Sequence, residues 1–231
     1  MKQIALDIRV ADGPTFANFL PGPNEVVLSH LRAWAESADG TEGARAGAPV
    51  PDYLWGPAGS GKTHLLKAAR EALQARGAGV GWLDAGMEEA PPFDEAWSAV
   101  LMDDVHLYTA GLQHVAFNWF VHAQASRMAV LAAGDAPPVG LTLREDLRTR
   151  LGWGHVHGLQ LLGEAELRAV LRGAAQWRGL SLGEEVTDFM LTRFSRDLGS
   201  LMELLNQLDG YALRAQRPIT IPLLKAMLEE T

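Results

Sequence analysis

The sequence predicts an α/β protein in which a parallel sheet covered by helices precedes a smaller domain made only of helices. Short apolar, β-prone segments alternate with helical patterns as far as residue 162, which is typical of parallel strands joined by helices. A glycine-rich segment after the first of these strands fits a phosphate-binding pattern. From residue 163 onward, helical patterns follow one another without an intervening strand. These observations predict an αβα nucleotide-binding domain over residues 11–162 and a helical domain over 163–231.

The individual elements follow from local patterns. Residues 1–10 alternate apolar and polar side chains, which indicates an extended peptide. Asn24 is placed to cap a helix that runs through Trp34, and Gly, Ala and Pro predict a loop over 36–51. Apolar segments predict strands at 52–56, 79–85, 98–104, 128–135 and 156–162, and helical spacing predicts helices at 63–76, 112–126, 164–177, 184–194, 198–214 and 222–230.

Composition excludes several classes of protein. The chain has 231 residues, 48% of them hydrophobic, which is enough for a sizeable core. Neither a membrane-spanning segment nor a signal peptide is visible, and we expect a cytoplasmic protein without membrane contacts. The absence of cysteine excludes disulfides and thiolate metal sites. A net charge of -8 argues against a broad electrostatic DNA-binding surface.

The strongest local signal is the segment WGPAGSGKTHLL, which begins at Trp55 and fits the pattern G-x-x-x-x-G-K-[ST]. Its glycines allow backbone N–H groups to surround phosphates, the lysine reaches the β and γ phosphates, and the threonine hydroxyl is a magnesium ligand. The sequence therefore predicts binding of ADP or ATP with Mg²⁺. The predicted nucleotide-binding residues are Gly56, Pro57, Ala58, Gly59, Ser60, Gly61, Lys62 and Thr63.

A pair of acids after another predicted strand supplies the second part of such a site. In SAVLMDDVH, Asp103 is predicted to hold the metal ion and Asp104 to orient or polarise an attacking water. Two acids after a strand also commonly cap the following helix. The preceding phosphate-binding pattern favours the metal-binding interpretation.

Four segments together resemble the DnaA family of AAA+ ATPases: TFANF, GKTHLL, LMDDVH and REDLRTRLGWG. The resemblance runs from about Thr15 to the C-terminus and implies an AAA+ core followed by a helical lid. It also implies that Asp135 is the sensor 1 residue, Arg150 an arginine finger that acts on a neighbouring subunit, and Arg196 the sensor 2 residue that contacts nucleotide. Asp135 could instead begin a turn, and Arg150 could belong to a solvated helical face. Arg196 departs from the common lid pattern because serine and phenylalanine precede it.

The N-terminal peptide suggests a protein partner. Gln3, Leu6 and Ile8 in QIALDI are similar to the Q-x-x-L-x-[hydrophobic] peptides that dock on the replicative sliding clamp, the β subunit of DNA polymerase III. The chain ends where the lid would end, so we expect contact with DNA only indirectly, through the clamp. The implied partners are the DnaA initiator and the clamp, and the subunit interface implied by the resemblance also allows a homo-oligomer.

Three functions are compatible with these features. The leading hypothesis is a clamp-bound regulator that promotes hydrolysis of DnaA-bound ATP and so inactivates the initiator. The alternatives are an ATP-driven loader or remodeller related to helicase loaders, and a nucleotide-stabilised adaptor without catalytic contribution. His155 and His157 share one face of a predicted strand, but no third ligand is evident in the sequence, and we expect no metal site there.

Overall fold

The computed structural model describes residues 13–38, 49–194 and 197–230. They fall into two compact units with a boundary between Gln160 and Leu161. The first unit contains α1 (Glu25–Ser37), β1 (Asp52–Trp55), α2 (Lys62–Gln74), β2 (Gly79–Leu83), β3 (Trp97–Met102), α3 (Ala110–Ala125), β4 (Ala129–Gly134), α4 (Glu145–Leu151) and β5 (His155–Gly158). The second contains α5 (Glu164–Trp177), α6 (Glu184–Arg193), α7 (Leu198–Ala215) and α8 (Ile221–Glu229). No helix in these ranges is long and apolar enough to cross a membrane.

The five strands form one parallel sheet in the order β2-β3-β4-β1-β5. The parallel sheet and the helices that follow it confirm the predicted fold class. Because the strands are parallel, their carboxyl ends meet at one edge, and β4 lies between β1 and β3. The segments that follow β1, β3 and β4 are therefore neighbours at that edge, although they are far apart in the sequence.

The central strands β1, β3 and β4 contribute to a core on each face of the sheet, because successive strand residues point in opposite directions. Leu101 on β3 belongs to a core shared with α1 and α2, whereas its neighbours Val100 and Met102 belong to a second core shared with α3. Fully burying one such side chain contributes about 1.5–3 kcal/mol relative to leaving it exposed. The two cores together hold the strand ends in place for the site described below.

Two local predictions differ from the structure. Asn24 does precede α1, but its side chain makes no capping hydrogen bond. It instead donates to the carbonyl of Gln160 at 2.9 Å and accepts from the N–H of Gln160 at 2.8 Å. Because these backbone groups bond to a side chain, β5 ends at Gly158 rather than continuing to the predicted Leu162.

The second unit is a four-helix domain with a core of its own. Leucines from three of its helices, including Leu171, Leu205 and Leu224, are fully buried in one cluster. Two of the helices have side-chain caps at their N-termini, since Asp197 accepts from the N–H of Ser200 and Thr220 accepts from the N–H of Leu223. All four helices predicted from the sequence of this region are present.

Candidate functional site

The glycine-rich segment forms a loop between the end of β1 and the start of α2. Gly59 and Gly61 have φ angles of +77° and +94°, a conformation that residues with a side chain rarely adopt. A Cβ atom at Gly56 would lie 2.6 Å from the carbonyl oxygen of Leu159. The loop therefore needs glycine at these positions, and its path leads directly into the N-terminus of α2, where a helix favours anions.

Lys62 is the first residue of α2 and is buried within the loop. Its Nζ donates to the carbonyl oxygens of Gly56 at 2.8 Å and Pro57 at 3.0 Å. Burial lowers the pKa of the Lys62 ammonium, while the charges of Asp104, Asp103 and Asp135 act in the opposite direction. The fold thus brings three predicted site carboxylates into the electrostatic environment of the predicted phosphate-binding lysine.

Thr63 and Asp103, the two predicted metal ligands, interact electrostatically. The Asp103 carboxylate is 3% exposed just after the end of β3, and the Thr63 hydroxyl acts on its pKa. Burial raises the pKa of Asp103, whereas the Thr63 hydroxyl and a hydrogen bond from the N–H of Asp104 lower it. A buried carboxylate beside a hydroxyl has the chemistry that a magnesium ion requires of its protein partners.

Asp104 is held in an uncommon backbone conformation. Its φ of +48° lies in the left-handed region, which is costly for a residue other than glycine. A short 3₁₀ turn, Val105–Leu107, follows, so the chain leaves β3 sharply after the acid pair. The side chain of Asp104 does not cap this turn. The structure therefore does not support the alternative interpretation for Asp104, in which the acid pair caps the following helix.

Asp135 follows β4 and is about half exposed. The loop behind it is fixed by Tyr53, whose hydroxyl donates to the carbonyl of Ala136 at 2.8 Å. Nε2 of His106 lies 4.0 Å from Oδ2 of Asp135, and Nδ1 of the same ring is buried without a hydrogen-bond partner among the described residues. His106 belongs to the LMDDVH segment, but no local sequence pattern indicates that it faces Asp135.

The TFANF segment covers the phosphate loop from the N-terminal side. Phe19 lies against Gly61, and its ring centroid is 5.4 Å from that of His64 on α2. The His64 ring also shares a 3.0 Å hydrogen bond with the carbonyl of Thr15. The aromatic segment near the N-terminus therefore packs directly against the phosphate loop and α2. No local sequence pattern indicated this contact.

Arg150 lies in a different place from the loop. It is on α4, with its guanidinium carbon 5.2 Å from the ring centroid of Phe117 on α3. It lines an open surface groove together with Arg144 and Trp153, and Trp153 is 66% exposed. None of the loop residues Gly56 to Thr63 is among the described residues lining this groove. Arg150 is thus partly exposed and lies beside the rings of Phe117 and Phe120 in this groove, which the phosphate loop does not line.

The remaining site predictions lie outside the described residues. They are the clamp-docking residues Gln3, Leu6 and Ile8 and the sensor 2 candidate Arg196.

The loop region fits a nucleotide on independent structural grounds. The positive φ angles of the loop glycines and the buried ammonium of Lys62 are two of these grounds. The third is the hydroxyl of Ser60, which is buried and without a hydrogen-bond partner among the described residues. A phosphate oxygen is a suitable acceptor for such a group. Residues Lys62, Thr63, Asp103, Asp104 and Asp135 are brought together, whereas Arg150 stands apart.

Comparison with known proteins supports this description. Residues 164–228 match the family model described as "Hda, lid domain". Domain III of the replication initiation protein DnaA from Thermotoga maritima is similar in structure, with a TM-score of 0.70 and 21% identity over 94% of this chain and 95% of that one. AMPPCP-bound DnaA from Aquifex aeolicus has a TM-score of 0.66 and 20% identity over 85% of this chain and 65% of that one. A RuvB protein from Thermotoga maritima has a TM-score of 0.66 and 15% identity over 94% and 71% of the two chains.

These matches bear on the resemblance drawn from the four sequence segments. The fold of this chain is similar to that of DnaA domain III, and residues 164–228 are similar to the lid domain of Hda. The resemblance to Hda and DnaA is therefore confirmed at the level of fold and lid.

Proposed function

We propose that this protein is a regulator of replication initiation of the Hda type, which binds the DNA-loaded sliding clamp and promotes hydrolysis of DnaA-bound ATP. The observation that carries the proposal is the position of Arg150 in an open groove, apart from the chain's own phosphate loop. A residue displayed in this way is suited to act on a nucleotide held by another protein. The match of the lid to the Hda model supports the same assignment.

The chain's own site would hold ADP or ATP with Mg²⁺. The backbone of the loop and Lys62 would bind the phosphates, and Thr63 and Asp103 would hold the metal ion, which neutralises phosphate charge when bound. Asp104 and Asp135 would contact water or the terminal phosphate. Arg196 would contact the nucleotide from the lid. In a regulator this nucleotide stabilises the form of the protein that binds its partner.

Arg150 would supply positive charge to DnaA-bound ATP. A guanidinium remains protonated at any physiological pH, so it stabilises negative charge that develops on the transferred phosphoryl group without gaining or losing a proton. Fingers supplied by a second protein accelerate hydrolysis about 10³- to 10⁵-fold. A single side chain is therefore sufficient to change the nucleotide state of an initiator.

The clamp would be bound through Gln3, Leu6 and Ile8. In this mode an extended peptide inserts apolar anchors into a groove while a glutamine amide makes hydrogen bonds at its edge. The net charge of -8 agrees with contact to DNA through the clamp rather than directly. If the double substitution Gln3→Ala and Leu6→Ala leaves clamp binding unchanged in a pull-down with purified clamp, the docking assignment is wrong.

The central experiment measures hydrolysis of ATP preloaded on DnaA in the presence of clamp-loaded DNA. We expect stimulation by the wild-type protein, its loss with Arg150→Ala, and its retention with Arg148→Ala, a control on the same helix. If Arg150→Ala stimulates hydrolysis as well as the wild type does, Arg150 is not the arginine finger. If the wild type does not stimulate hydrolysis with an initiator and clamp from the same source, the proposal that this protein is such a regulator is wrong.

One set of observations favours the alternative of an ATP-driven loader or remodeller. Lys62, Thr63, Asp103 and Asp104 are all present and close together, as intrinsic ATP turnover requires. Rapid ATP hydrolysis by the isolated protein, abolished by Asp104→Asn, would support the loader. Turnover that is negligible alone, together with DnaA stimulation that survives Asp104→Asn, would support the regulator.

A further inference from the structure

Three histidines and a buried aspartate meet at the end of β1 opposite the phosphate loop. Asp52 begins β1 and is paired in register with His155 on β5, and Leu54 is paired with His157. Because alternate residues of a strand share a face, these side chains project to the same side of the sheet. That side is covered by α1, since Leu54 shares a core with Leu28 and Leu31, and α1 contributes His30 to the group.

Each of the three histidines has a ring nitrogen within 3.4 Å of the same carboxylate oxygen of Asp52. Oδ1 of Asp52 lies 2.5 Å from Nε2 of His30, 3.3 Å from Nε2 of His157 and 3.4 Å from Nδ1 of His155. Single ligand atoms of His30, Asp52 and His157 all lie within 4.8 Å of one another. His30 and Asp52 are the further candidate ligands that were not evident from the sequence. The sequence could not indicate these ligands, because they are more than 100 residues away from His155 and His157.

The charge of Asp52 requires compensation. The residue is only 2% exposed, and a buried carboxylate is costly unless it is paired or coordinates a metal. Its recorded ion-pair contacts within the described ranges are all to imidazoles. Neutral imidazole nitrogens and a carboxylate oxygen are together a common ligand set for transition-metal ions.

We propose that His30, Asp52, His155 and His157 bind one divalent transition-metal ion, with Zn²⁺ as the best fit. Zinc–nitrogen and zinc–oxygen bonds of about 2.0–2.1 Å place the ligands of a tetrahedral site about 3.3–3.4 Å apart. Two of the three separations measured from Asp52 have this length. The third, to His30, is a hydrogen-bond distance, and less than about 1 Å of side-chain movement converts it to a ligand separation.

Four protein ligands leave no open coordination position, so the ion has a structural role. It joins three elements of the first unit: α1, β1 and the edge strand β5. His155 is 53% exposed, which gives the ion a route from solvent. The site depends neither on the nucleotide nor on the partners proposed above, and its test is independent of them.

The chain offers a clean test because it contains no cysteine and four other histidines, at positions 64, 106, 114 and 122. Protein without an affinity tag is stripped with a chelator and titrated with Co²⁺, whose visible absorption reports tetrahedral coordination, and with Zn²⁺ in competition with a chromophoric chelator. We expect one equivalent of either ion to bind. His30→Gln and His157→Gln are each expected to weaken binding by about tenfold or more, while the control His122→Gln, on the exposed part of α3, binds as wild type.

Thermal unfolding supplies a second readout that also shows whether each variant is folded. Zn²⁺ should raise the Tm of the wild type and of His122→Gln, because an ion that binds only the folded protein stabilises it. It should raise the Tm of His157→Gln less or not at all. His155→Gln changes the most exposed proposed ligand. It provides a folded ligand variant if a substitution at a more buried ligand unfolds the protein. Absence of saturable binding to the wild type, or equal binding by the folded ligand variants, would overturn the proposal.

Discussion

The ring of Phe19 occupies the space into which a side chain at Gly61 would project. A Cβ atom at Gly61 would lie 2.6 Å from Cε2 of Phe19, and the φ of Gly61 is +94°. Phe19 itself is 9% exposed and belongs to the core that contains α1 and α2. The conformation of the phosphate loop and the packing of the N-terminal aromatic segment therefore depend on the same glycine.

Gly61→Ala is expected to lower the free energy of unfolding and to weaken nucleotide binding. The left-handed conformation alone costs a residue with a side chain about 1–2 kcal/mol, and displacement of Phe19 adds to this. Urea unfolding and titration with a fluorescent ADP analogue measure the two effects. Gly111→Ala, on the exposed start of α3, is the control and should be near wild type in both. Wild-type stability of Gly61→Ala would show that the contact with Phe19 is not as described.

Lys62→Met should weaken nucleotide binding by about 10- to 150-fold, which corresponds to one strong charge-assisted hydrogen bond. The methionine retains an unbranched apolar stem but removes the ammonium that lies among Asp103, Asp104 and Asp135. The control is Lys67→Met, which makes the same substitution at an exposed position about one turn further along α2. Equal affinities of the two variants in the ADP-analogue titration would exclude Lys62 as the main phosphate ligand.

Asp103→Asn is expected to stabilise the protein at neutral pH while weakening Mg²⁺-dependent nucleotide binding. Burial raises the pKa of Asp103 in the folded state, so the ionised form is penalised there relative to the unfolded chain. The asparagine retains a side-chain oxygen but carries no charge.

The pH dependence of this stabilisation has a defined sign. The advantage of Asp103→Asn should be complete above the raised folded-state pKa of Asp103. It should shrink as the pH falls toward the ordinary value, and it should vanish below that value, where the carboxyl group is protonated in both states. Urea unfolding of both proteins between pH 4 and 8 measures the difference. A stability difference that is independent of pH would contradict the assignment of burial as the cause.

Phe117→Ala should reduce the stimulation of DnaA-bound ATP hydrolysis about two- to fivefold without abolishing it. The ring lies 5.2 Å from the guanidinium carbon of Arg150, and an exposed cation–π contact contributes about 0.5–1 kcal/mol to the position of the cation. Val121→Ala, another partly exposed position on α3, serves as the control. Stimulation by Phe117→Ala equal to that of the control would mean that the ring does not position Arg150.

Most local elements of this protein were predictable from residues that are neighbours in the chain. The phosphate loop was predictable because its residue types and spacing fix a backbone conformation, as the positive φ angles of Gly59 and Gly61 illustrate. The strands were predictable because apolar β-prone segments have few other stable environments, and Asp103 and Asp104 were predictable because they end one of these strands. Each of these inferences depends on residues that are close together in the chain.

The side chains that meet across long sequence distances depend on strand order and register. The placement of β4 between β1 and β3 brings Asp135 beside Tyr53 and near Lys62, and the register of β1 with β5 brings Asp52 to His155 and His157. Asn24 was expected to cap a helix but instead bonds to the backbone of Gln160. Local sequence patterns cannot specify such contacts, because strand order and register are set by the burial of the central strands between two helical layers.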